Sequence, residues 1–326
     1  IYSLSNDYRQ MFISADGAGT YSQEFIWARD YNTALAVNNK DYSINDYMIN
    51  AQHAQYSFNR DFVMTYLKTD GTPFTSGFAG EDYYKVSFAD EFVGRDRRLR
   101  ETIRYPGFTR ADNKLWGADL VYAKTGYQPN KWLTHEINDA INGATQPDVP
   151  LIRYAEVLLT YAEAMAEQGK CTPDVWNKSV KLVRERAGVQ SIYPTTADPY
   201  MVKYFLGEVT DPVILEIRRE RTIEMVMEGL RQWDLFRWKE AEQMLNHYVP
   251  YHGLYIPGVG SYDMNGDGTP DLEVYETTSV TQLDIKVRIE RDIFLSNGTS
   301  GYIVGFPKVT YGTDWNNDRD YLWPIP

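Results

Sequence analysis

Cysteine is almost absent from this 326-residue chain, where Cys171 stands alone. No intrachain disulfide can form, which excludes the disulfide-stapled scaffolds of small secreted domains. No run approaches the ~20 consecutive apolar residues of a membrane-spanning helix. The opening Ile1-Tyr2-Ser3-Leu4 shows neither the basic and apolar regions of a leader nor a cysteine for lipid attachment. Histidine is scarce as well. His53, His135, His247 and His252 form no His-Glu-x-x-His pattern, and none has a cysteine spaced as a zinc partner. A Gly-x-Ser-x-Gly elbow and a Walker loop are missing, and Gly258-Val259-Gly260 is too short for a dinucleotide loop. Basic residues are outnumbered, 33 against 45 acidic, for a net charge of −12. Such a surface repels phosphate backbones and argues against a nucleic-acid partner.

Aromatic side chains are plentiful, with 26 Tyr and 8 Trp. Flat rings offer contact area at little entropic cost, and the C–H face of a sugar packs on them while neighbouring polar groups bond its hydroxyls. Trp176, Trp233 and Trp238 fall in helical sequence and read as core. Tyr83, Tyr84, Trp116 and Trp132 fall in loop-rich stretches where rings can face solvent. These four are the candidate ligand contacts, against the simpler reading of packing residues.

The clearest regular pattern lies at 152–247. Ile152, Ala155, Leu158, Leu159, Ala162 and Met165 recur at helical spacing. Gly169 fits a C-terminal cap, and Thr172-Pro173-Asp174 supplies an N-cap, a first-turn proline and an early acid. A second helix is expected over 175–187, stopping at Gly188. Asp211-Pro212 opens another unit, expected to continue past Gly229 to about His247. Each helix pair fills roughly the 34 residues of a tetratricopeptide unit, and such a pair needs a neighbour to bury its apolar face. Before this block, Glu24 to Ala28 reads as a strand, 59–67 as a short amphipathic helix and 102–107 as a strand ending in a turn. After it, Gly, Pro and Asn-Gly punctuation indicates loops and short strands, with a weak helical period only at 281–292.

Asp263-Met-Asn-Gly-Asp-Gly-Thr-Pro-Asp271 carries the sharpest chemical pattern. Asp263, Asn265, Asp267 and Asp271 place oxygens at positions 1, 3, 5 and 9 of a calcium loop, Gly268 holds position 6, and the Thr269 carbonyl would serve at 7. Position 12 is Val274, with Glu273 and Glu276 as substitutes, and no flanking helices are evident. The reading is a structural calcium site, against a plain Asx/Gly turn. Glu156, Glu163 and Glu167, like Glu220, Glu224 and Glu228, recur on helical faces beside Arg153, Arg218, Arg219 and Arg221. That spacing suits ion pairs, whereas a glycosidase needs two carboxylates across a scissile bond. No catalytic residue is assigned.

Leu67-Lys-Thr-Asp-Gly-Thr-Pro-Phe-Thr75, Gly94-Arg-Asp-Arg-Arg-Leu99, Thr125-Gly-Tyr127, Arg153-Tyr-Ala-Glu156, Arg184-Glu-Arg-Ala-Gly188, the 218–238 stretch and Tyr321-Leu-Trp-Pro-Ile-Pro326 follow one another along the chain. In this order they resemble the motifs of the SusD/RagB family of outer-membrane nutrient-binding lipoproteins, with Arg97 in place of the family's proline. The resemblance implies a mainly α fold of tetratricopeptide-like helix pairs, at about 152–247, with a large loop-rich region and few short strands. It implies one SusD-like domain over 1–326 that lacks the family's N-terminal helices and extreme C-terminus. It also implies a surface-exposed lipoprotein of the outer membrane, held by an N-terminal lipid anchor outside this chain. Its function would be non-catalytic capture of oligo- or polysaccharides for a SusC-like TonB-dependent transporter. Alternatives are the same delivery role for peptides, a glycoside hydrolase, or a protein-interaction scaffold.

Overall fold

The computed structural model describes residues 2–14, 16–31, 56–109, 115, 117–121, 123–133, 147–241, 252–305 and 315–322. Three short helices come first: α1 (Gly17–Thr20), α2 (Arg60–Thr65) and α3 (Arg97–Thr102). Between α1 and α2 lies strand β1 (Phe25–Arg29), paired antiparallel with β2 (Val149–Arg153). β2 leads directly into α4 (Tyr154–Glu167), followed by α5 (Pro173–Asn177), α6 (Val180–Arg186), α7 (Pro199–Tyr204), α8 (Pro212–Glu224) and α9 (Arg231–Trp238). The last described part is built of strands. β3 (His252–Ile256) pairs antiparallel with β7 (Gly301–Val304). β4 (Gly260–Tyr262) and β5 (Leu272–Tyr275) are antiparallel, and β6 (Ile285–Arg288) runs parallel to β5.

The caps explain the helix starts. Asp211 Oδ1 accepts the Val213 and Ile214 amides at 2.8 and 3.0 Å, ahead of Pro212 at the first helical position. Asn59 accepts the Phe62 amide at 2.8 Å and starts α2 where the sequence predicts a short helix. Asp198 does the same for α7, accepting the Tyr200 amide at 2.9 Å.

Two expectations are corrected. The single helix over 175–187 is two, because the Ser179 hydroxyl turns back to donate to the Val175 carbonyl at 2.6 Å and the backbone leaves helical geometry there. The unit opened by Asp211-Pro212 runs past Gly229 as two helices, α8 to Glu224 and α9 from Arg231, with Met227 and Gly229 at positive φ between them; His247 lies outside the described residues. The 102–107 stretch begins inside α3, which Asp96 caps through the Arg98 amide. The 281–292 stretch, whose helical period is weak, holds β6 paired with β5, in keeping with the loops and short strands expected there.

α8 packs on α4, and α4 also packs on α5 and α6. Leu158, Leu159, Trp176, Val183 and Ile217 form the helical core. A larger core joins α2, α3 and α7 to the strands through Phe62, Leu99, Phe205, Leu254, Leu272 and Ile303. Cys171 is buried in the helical core. Among the described residues, no helix is long and apolar enough to cross a membrane.

α8 is nearly all buried although it carries Arg218, Arg219, Glu220, Arg221 and Glu224. Glu224 meets Arg153 at 2.5 Å, Arg98 at 2.8 Å and also Arg186. Arg153 continues to Glu24 and Glu228, and Glu228 to the buried Lys131 at 2.5 Å. Arg184 holds Glu216 and Glu220 at 2.5 and 2.8 Å. A lone ion in this interior costs several kcal/mol, so each charge is tolerable only because its partners are in place. Glu163 is likewise held, by Arg237 and by the Trp238 indole N–H at 2.5 Å. Glu163, Glu220, Glu224 and Glu228 are therefore packing elements, whereas Glu167 is exposed.

Candidate functional site

The Asp-Gly-Thr-Pro turn builds one wall of a concavity. Asp70 Oδ1 accepts the Thr72 amide at 2.9 Å and its hydroxyl at 2.6 Å, and Lys68 N–H donates to the Thr72 carbonyl. Gly71 sits at φ +82° with the Gln190 carbonyl against it. A Cβ there would lie 2.2 Å from that oxygen. The Gln190 amide returns a bond to the Thr69 carbonyl at 2.8 Å. The turn is thus pinned to the segment after α6, and the 72–83 loop faces the 192–203 segment across a cavity of about 650 Å³.

The lining is mostly apolar. Phe78, Tyr83, Tyr200 and Ile192 supply the broad surfaces, and threonine and serine hydroxyls stand among them. Tyr83 meets Tyr200 edge to face at 5.8 Å, and burial pushes both phenols up, so they stay neutral donors. The charges at the cavity are matched. Glu81 binds Lys203 across the mouth, Glu216 binds Arg184 on the floor, and Asp198 binds Arg219. Burial alone would raise the Glu216 carboxyl, but Arg219 and Arg184 outweigh it and hold it below its usual range. An apolar wall, hydroxyls and matched charges suit a neutral, hydroxyl-rich ligand better than an ion.

Of the three aromatic candidates among the described residues, Tyr83 alone lines this cavity. Tyr84 turns inward from the same 3-10 turn (Asp82–Lys85). Its hydroxyl donates to Asp61 at 2.7 Å and its ring packs on Tyr302 and His252. Trp132 is 6% exposed, donates its indole N–H to the Met227 carbonyl at 3.1 Å and meets Phe12 edge to face. The expectation that these loop rings face solvent is corrected for Tyr83, Tyr84 and Trp132, all buried; the polar tips of Tyr84 and Trp132 find internal partners, which lets those rings be buried. Trp116 lies outside the described residues. Phe78, Ile192 and Tyr200 escaped the sequence reading. Gly77 and Gly80 around Phe78 were a loop signal, but nothing marks 78 and 192 as neighbours.

In the 263–271 loop the oxygens are turned onto the loop's own amides. Asp263 accepts from Gly266 and Gly268 at 2.6 and 2.7 Å, Asn265 from Asp267, Asp267 from Thr269, and Asp271 from Met264 and Asn265. Among the described residues no three His, Cys, Asp or Glu side chains are gathered as a metal-ligand set.

The described fold resembles that of a SusD-like carbohydrate-binding protein from Bacteroides fragilis, at 22% identity and a TM-score of 0.61. The match covers all of this chain and 56% of that one. A second SusD-like protein from the same organism matches at 20% identity and a TM-score of 0.52, over 77% of this chain and 50% of that one. The chain thus spans about half the length of these solved relatives. No curated protein matches it. The SusD family model matches residues 23–326, and the chain belongs to the SusD family.

Proposed function

We propose that this chain belongs to a non-catalytic, lipid-anchored protein of the outer-membrane surface that captures glycans and passes them to a SusC-like TonB-dependent transporter. In this reading the helices α4 to α9 pair as tetratricopeptide units within one SusD-like domain. Family membership supports the class, and one observation carries the ligand: the cavity between residues 72–83 and 192–203 joins aromatic walls to hydroxyls and internally matched charges. A sugar ring stacks on Phe78, 37% exposed at the wall, with Tyr83 and Tyr200 behind it.

Calorimetry against a panel of neutral oligosaccharides and mixed peptides tests this. Phe78→Ala is expected to weaken oligosaccharide binding about tenfold, near 1.4 kcal/mol. Peptides bound with every glycan silent would instead identify a peptide carrier, and new reducing ends after incubation would identify a hydrolase.

Calcium at the 263–271 loop is proposed on the spacing of its oxygens. Binding requires Asp263, Asn265 and Asp267 to exchange their amide bonds for the ion, joined by Asp271 and the Thr269 carbonyl. Burial and the neighbouring Asp263 and Asp267 charges raise the Asp271 carboxyl against the pull of its two amide bonds, a repulsion that a cation relieves. Millimolar calcium is then expected to raise the melting temperature by a few degrees, an effect lost in Asp267→Asn. Equal melting in calcium and in chelator would leave a turn held by amides alone.

A further inference from the structure

A second concavity, of about 330 Å³, has the opposite electrostatic character. It lies between the N-terminal segment, α3 and the stretch after α3. Three guanidiniums line it, from Arg9, Arg97 and Arg100, against the two carboxylates of Asp7 and Glu101. This local positive excess stands on a chain of net charge −12. Arg97 Nε meets Glu101 Oε1 at 3.2 Å and its Nη2 donates to the Asn6 and Arg186 carbonyls. Arg100 and Arg9 lie 5.0 and 5.9 Å from the ring centres of Tyr105 and Phe108, which meet edge to face. Burial pulls the Arg9 guanidinium down to about 10, which leaves it charged at neutral pH. The other Glu101 oxygen, Oε2, is buried with no hydrogen-bond partner.

These groups ask for three things in one ligand. The net positive charge favours an anionic group, the half-buried Tyr105 ring offers an apolar face, and the orphaned Glu101 oxygen wants a hydroxyl donor. We propose that this concavity is a second saccharide site, selective for sugars that carry an anionic substituent, a carboxylate or a sulfate ester. It rests on the glycan-binding reading above and adds a charge selection that the first cavity, with its charges matched, does not provide.

The test is calorimetry at low salt with three trisaccharide probes: a neutral hexose, its uronic-acid counterpart and its sulfated counterpart. One or both acidic probes are expected to bind at least tenfold tighter than the neutral one, and which does so separates carboxylate from sulfate. Added salt should erode the preference, because the rim cations are exposed. Arg100→Gln and Thr109→Glu, both at exposed positions, should each reduce the preference severalfold while neutral binding persists. Equal binding of all three probes, or a preference unmoved by both variants, overturns the proposal and leaves the glycan reading intact. Silence of every saccharide overturns both, and an acidic peptide bound in their place makes this a peptide site.

Discussion

Glu224→Gln is expected to destabilise the protein by about 3–5 kcal/mol, the cost of breaking a buried ion pair from one side. For a domain of this size that lowers the melting temperature by on the order of 10 °C. The carboxylate is fully buried among Arg98, Arg153 and Arg186. Glutamine keeps the shape and removes the charge, leaving three guanidiniums whose other partners no longer balance them. A melting temperature within a degree of the native protein would mean that the network relaxes freely. The same site fixes an acid dependence. Burial alone would raise the Glu224 carboxyl, but Arg186, Arg153 and Arg98 together hold it well below its usual range. A carboxyl depressed in the folded state stabilises fully above its unfolded value, about 4.3, and loses that contribution as pH falls through the folded value. Glu216 and Glu228 are shifted the same way. Stability measured by urea titration should therefore drop steeply below about pH 4.3, and the slope should be shallower in Glu224→Gln.

Gly71→Ala carries the second large effect, a loss of on the order of 3 kcal/mol. Positive φ alone strains an alanine there, and its methyl group would also press on the Gln190 carbonyl, a backbone atom that cannot swing aside. Gly77→Ala is the matched control. It has positive φ in the same loop but nothing within 4 Å of the added carbon, so strain alone remains, about 1 kcal/mol. Because Gly71 joins the two walls of the cavity, its variant should also weaken glycan binding beyond its stability loss, read as affinity at a temperature where it is fully folded. Equal losses in the two variants would show that the contact with Gln190 does not hold the walls together.

Local signals in the sequence were legible where the physics is local. Asp211-Pro212 and Thr172-Pro173 name helix starts because a side chain caps the backbone two or three residues on. Gly169 and Gly188 name helix ends because each sits at positive φ, which glycine adopts without strain. The ordered motifs of 67–75, 153–156 and 218–238 were enough to indicate the family. Long-range pairing was not legible. Nothing near Phe78 announces Ile192 or Tyr200, and nothing at Tyr84 announces the Asp61 carboxylate that draws it inward. The α5–α6 break was hidden because a single serine hydroxyl, competing for a helix carbonyl, leaves the apolar period almost untouched. The 263–271 loop shows the limit of a chemical pattern. The same oxygens at the same spacing can serve an ion or their own amides.

The burial of Cys171 has a practical consequence. The chain's one thiol is 7% exposed, burial raises its pKa, and the thiolate that reagents attack is correspondingly scarce. The native protein therefore offers a quiet background for site-directed labelling. A cysteine introduced on the 72–83 loop would be the reactive one, and a fluorophore there could follow a ligand entering the cavity without first removing any native residue.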